Sequence, residues 1–87
     1  MKITKEFIVR KVVDECVLIP VGETALHFNG LISLNPVAEV IWNKLQQETT
    51  REELLAAILD EFDVPQEQAA ADLDEFLDLL RKNELIS

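Results

Sequence analysis

The hydrophobic period changes halfway through NGLISLNPVAEVIW, residues Asn29 to Trp42. Apolar positions alternate up to Leu34, as a half-buried strand requires, and recur at helical spacing after Asn35-Pro36. In the strand LISLN, Ile32 and Leu34 share one face with Phe28, while Leu31 and Ser33 point to the other. Asn35 can cap a free backbone N–H, and Pro36 at the first helical position loses no intrahelical bond, so the strand is predicted to run straight into a helix. Val37, Val40, Ile41 and Leu45 form that helix's apolar stripe, with Ala38 and Trp42 beside it.

The flanking segments follow the same logic. FIVRKVV (Phe7 to Val13) and CVLIPVG (Cys16 to Gly22) are rich in β-branched residues and predict a hairpin closed by Asp14-Glu15, with Pro20 near a strand end. GETALHFNG has turn residues at both ends and reads as mostly loop, with Leu26 and Phe28 available to plug the core. A second helix opens on the capping box Thr50-x-x-Glu53 and carries Leu54, Leu55, Ile58, Leu59 and Phe62. Pro65 opens a third, with Ala69, Leu73, Phe76, Leu77 and Leu80 inward. Asn83 is the expected left-handed residue at its end, and Leu85-Ile86 folds back onto the core. Three short strands followed by three helices define an α+β arrangement in one domain, residues 1–87. If the third strand lies at a sheet edge, it has no proline or charge to blunt its unpaired backbone, and a partner strand could use it.

Composition narrows the functional classes. A chain of 87 residues leaves little room for an enclosed active site. One cysteine excludes an internal disulfide, no apolar run approaches a membrane span, and the start lacks a signal-peptide pattern, so the expected location is the cytoplasm. His27 is the sole histidine, which rules out a His-rich metal site, and no cofactor is expected. Cys16 sits in an apolar strand without a neighbouring base, Ser33 and Ser87 lack a nucleophile-elbow context, and two glycines cannot cradle a phosphate. The chain is therefore expected not to be an enzyme. Trp42 reads as a core anchor.

The net charge of −9 is uneven: residues through Gly22 carry +1 and the remainder −10. The third helix holds Glu67, Asp72, Asp74, Glu75 and Asp78 against Arg81 and Lys82. A small sheet with three helices could be a DNA-binding winged helix, but an acidic recognition helix would be repelled by phosphates. The carboxylates read first as a solvated face.

The order and spacing of GLISLN leading into PVAEVIWNKL, then TTREELLAAI, then DLDEFLDLLRKNELI resemble the PqqD family (coenzyme PQQ synthesis protein D), also described as RiPP recognition elements. The resemblance covers nearly the whole chain. It implies a winged-helix-like fold with an N-terminal three-stranded antiparallel sheet and three helices. It also implies an adaptor that binds the leader of a ribosomally made precursor peptide and presents it to a modifying enzyme, often a radical SAM protein. In such proteins the leader adds a strand to the third strand and lies in the groove between it and the third helix. Carried onto this sequence, the docking strand is Leu31, Ile32, Ser33 and Leu34, and the groove wall is Ala69, Asp72, Leu73 and Phe76. Carboxylates on the rim would favour a leader with Lys or Arg there. With no enzyme domain in the sequence, a free-standing adaptor is expected; the alternative is an interaction module that homodimerises through the apolar strand edge.

Overall fold

A computed structural model describes residues 1–28 and 30–87. Strands β1 (Phe7–Val12), β2 (Glu15–Pro20) and β3 (Ile32–Leu34) form one antiparallel sheet in the order β1-β2-β3. Helices α1 (Thr24–His27), α2 (Pro36–Lys44), α3 (Arg51–Glu61) and α4 (Gln66–Lys82) complete the chain.

The register fixes which side chains the sheet buries. Lys11, Cys16 and Leu34 lie opposite one another across the strands, as do Val9, Leu18 and Ile32. Pleating sends Cys16, Leu18, Ile32 and Leu34 to the same face, and these four are buried. The helices cover them with Ala38, Ile41, Trp42 and Leu45 from α2 and its end, Leu54 and Ile58 from α3, and Ala69, Leu73, Phe76, Leu77 and Leu80 from α4. Phe7 meets both Phe28 and Trp42 edge-on, at centroid separations of 5.5 and 5.6 Å, and seals one end of this core. Every buried side-chain nitrogen or oxygen among the described residues has a hydrogen-bond partner.

The caps explain the helix boundaries. Asn35 Oδ1 accepts from the Ala38 N–H at 2.8 Å, and Thr50 Oγ1 accepts from the Glu53 N–H at 3.2 Å. The Glu53 carboxylate turns to the Thr49 hydroxyl instead of closing a reciprocal box. At the end of α4 the left-handed residue is Glu84 (φ 57°), not the expected Asn83, which sits at φ −97°. The Leu85 N–H donates to the Leu80 carbonyl and the Glu84 N–H to that of Arg81, the paired bonds of a Schellman ending. Moving the reversal one residue on lets Leu85 reach the core, while the Asn83 amide donates to the Leu79 carbonyl. Ile86 then bridges to Ile3.

Three other expectations shift. The hairpin turn is Val13-Asp14, because Val12 already pairs with Glu15, and Val13 adopts φ 58°. The segment expected as loop contains α1, a single helical turn entered from Gly22 at φ 59°, a conformation glycine adopts without steric cost. Leu26 is exposed on it and plugs nothing; Thr24 is buried in its place, accepting the Glu6 N–H at 3.0 Å. Asn29, in the expected second turn, lies outside the described residues. In α2 the buried stripe is Ala38, Ile41, Trp42 and Leu45, leaving Val37 and Val40 half-buried.

Candidate peptide-binding groove

The two edges of the sheet are built differently. β1 is six residues long and carries Arg10 and Lys11, charges that discourage edge-to-edge pairing. Lys11 Nζ also reaches Glu39 on α2 at 2.8 Å, which raises the Lys11 pKa and ties that strand to the helical layer. β3 is Ile-Ser-Leu, uncharged, with one side paired to β2 and no partner strand on the other among the described residues. Its backbone can accept another strand.

An open groove of about 480 Å³ lies along this part of the molecule. One wall is Ser33, Asn35 and the first turns of α2, where Val37, Ala38 and Ile41 contribute apolar surface. The opposite wall is one face of α4: Asp72, Glu75, Phe76, Asp78, Leu79 and Lys82. These recur at spacings of three and four, so they stack along the helix. From position 72 to 82 the helix rises about 15 Å, the length of some five residues of extended peptide.

Sequence reasoning and structure overlap here in a specific way. Leu31 and Ser33 are exposed, Leu31 just before β3 and Ser33 within it, whereas Ile32 and Leu34 turn their side chains into the core and offer only backbone to a ligand. Asp72 and Phe76 line the groove. Ala69 and Leu73 lie inward on α4, 1% and 0% exposed, and support the wall from behind. The α2 wall and, on α4, Glu75, Asp78, Leu79 and Lys82 lie outside the set expected from the sequence. Leu79 is 40% exposed and off the buried stripe, and a single exposed leucine on a helix is too ordinary to have marked the groove in the sequence.

The groove's electrostatics are acidic. Asp78 is 3.5 Å from Arg81, and Asp74, one position outside the groove face, is held by Arg51 through two bonds of 2.8 and 2.9 Å that lower its pKa. Asp72 and Glu75 have no cation within salt-bridge distance among the described residues. Those residues contain no cluster of three or more His, Cys, Asp or Glu side chains placed to hold a metal. The Cys16 thiol is buried and its pKa is pushed up by desolvation, the opposite of a nucleophile's environment.

With a free strand edge beside an apolar-floored groove, the architecture is that of a small peptide-docking domain. The family profile of coenzyme PQQ synthesis protein D (PqqD) matches residues 15–86, and the chain belongs to the PqqD family. The solved structure of TbiB1 in complex with the TbiA(beta) leader peptide superposes with a TM-score of 0.72 at 29% identity, covering 100% of this chain and 95% of that one. No curated protein matches the sequence. No helix among the described residues is long and apolar enough to cross a membrane.

Proposed function

We propose that this protein is a RiPP recognition element: a peptide-binding adaptor that takes up the leader of a ribosomally synthesised precursor and presents it to a modifying enzyme. The observation that carries the reading is the free edge of β3 beside the α2–α4 groove, in a PqqD-family chain similar along its full length to TbiB1, a protein solved with a leader peptide. The leader adds a fourth strand against Leu31 to Leu34, and its groove-facing side chains rest on Phe76, Leu79, Val37 and Ile41.

Magnitudes assign the roles. Two or three added backbone hydrogen bonds contribute about 1 kcal/mol each, so pairing to β3 yields roughly 3 kcal/mol of the ~8 that micromolar affinity needs. The remainder must come from apolar side chains in the groove, at about 25 cal/mol per Å² removed from water. Backbone pairing thus sets the path and direction of the leader, and the groove side chains set its register and select it.

The domain, residues 1–87, acts in the cytoplasm without catalysing a step itself. Its partner enzyme is of the radical SAM class, by analogy within the family. A second reading uses the same uncharged edge: two copies pair through β3 as a homodimer.

NMR titration of ¹⁵N-labelled protein with the leader of a short peptide encoded beside its gene tests the assignment. Shifts should concentrate at Leu31–Leu34 and on the Asp72–Leu79 face of α4. Shifts confined to other regions would refute strand addition, and a stable dimer in gel filtration that ignores the peptide would favour the second reading.

A further inference from the structure

The groove has a charge pattern that its binding role does not require. Both walls carry apolar side chains, yet α4 also presents Asp72 and Glu75, about one turn apart, beside Phe76 and Leu79 and with no cation within salt-bridge distance among the described residues. The chain supplies arginines to two of the other three α4 carboxylates: Arg51 holds Asp74 and Arg81 approaches Asp78. Lys82, the one cation lining the groove among the described residues, is seven residues beyond Glu75, about 10 Å along the helix. An acidic partner segment would face repulsion along most of this wall, and a purely apolar one would leave both carboxylates without a counter-charge in a narrowed space.

We infer that the segment recognised in this groove is an extended strand whose groove-facing side carries apolar residues together with a Lys or Arg. Apolar side chains on the groove-facing side of the strand pack against Phe76 and Leu79, and a Lys or Arg on that same side, an even number of residues away, projects toward Asp72 and Glu75. This rests on the peptide-binding reading and adds to it the chemistry of the ligand. An extended chain repeats every 6.6 Å or so on one side, while Asp72 and Glu75 lie about 4.5 Å apart along the helix axis. One long cationic side chain can therefore reach both carboxylates, and Arg, with its fork of donors, suits two acceptors better than Lys. The pair also steers association, since the carboxylates lie on the exposed wall where a diffusing peptide first meets the groove.

The experiment is selection of random nonapeptides displayed on phage against the immobilised protein, followed by NMR mapping and affinity measurement with the selected synthetic peptides. Peptides that shift Leu31–Leu34 should be enriched in Lys or Arg at one position separated by two or four residues from the apolar ones, on the same side of the strand. Their affinity should fall about five- to tenfold in the Asp72→Asn/Glu75→Gln variant at low salt, and the difference should shrink near 0.5 M NaCl. The Asp60→Asn/Glu61→Gln variant changes net charge equally on α3, away from the groove, and should bind like the parent. Peptides that dock on β3 without basic enrichment, or that bind both variants alike, would overturn the charge assignment and leave strand addition standing. Failure of every selected peptide to perturb β3 would overturn both.

Discussion

α4 presents two faces that obey different rules. On the inward face Leu73, Leu77 and Leu80 are fully buried, and Ala69 and Phe76 nearly so. On the outward face Asp72, Glu75, Leu79 and Lys82 line a groove and contribute little to the core. Phe76, 8% exposed, belongs to both. The inward face is constrained by volume, because a void there forfeits contacts the fold depends on. The outward face is constrained by what it binds. Changes to the first should therefore appear in stability, and changes to the second in affinity.

The largest effect should come from Leu77→Ala. It opens a cavity in the hydrophobic core, where Leu77 is fully buried, and urea denaturation should show a loss of about 2–5 kcal/mol. For a domain of this size that is a large part of total stability. A loss below about 1 kcal/mol would mean that α4 is not packed as described. Next is Asn35→Ala, which leaves the Ala38 N–H without its cap at the junction of β3 and α2; a loss of about 1 kcal/mol is expected in the same assay. Because that junction also holds one wall of the groove, peptide affinity should fall with it.

Leu79→Ala reverses the pattern. Stability should stay within about 0.5 kcal/mol, since the residue is 40% exposed and alanine is a good helix former. Affinity for a groove-binding peptide, measured by titration calorimetry, should drop several-fold. Equal loss in both assays would erase the distinction between the two faces.

The smallest effect concerns Asp74. Its folded-state pKa is depressed by the Arg51 guanidinium, so the bridge stabilises the fold above the unfolded carboxylate's pKa and loses that contribution as pH falls through the folded value. The pair is exposed, and the Arg51→Gln variant should differ from the parent only slightly near neutral pH and not at all at strongly acid pH. Denaturation midpoints across an acid series would show the convergence.

Much of this architecture was readable from periodicity, for reasons that also explain the gaps. The hairpin, β3 and the three long helices each have enough residues for a period of 2 or 3.6 to repeat, and Asn35-Pro36 and Thr50 mark helix starts by specific capping chemistry. The turn Thr24–His27 is too short for any period to register, and its buried Thr24 is fixed by a bond from the distant Glu6 backbone. The end of α4 misled because Asn83 is the better left-handed residue locally, while the demand to bury Leu85 shifts the reversal to Glu84. The family resemblance pointed to β3 as the docking strand and, on the α4 side of the groove, to Asp72 and Phe76; Ala69 and Leu73, expected beside them, lie buried behind that wall. The α2 side was not foreseen, since Val37 and Ile41 also fit an ordinary core stripe.

The brevity of β3 has an evolutionary consequence. Three residues of backbone pairing accept almost any extended chain, so the scaffold itself imposes little choice of cargo. Under the docking proposed above, discrimination rests on a few α4 positions that lie off the buried stripe. A duplicated copy of such a gene could acquire a new precursor by drift at Asp72, Glu75 and Leu79 alone, with the buried half of the same helix held unchanged by selection for folding.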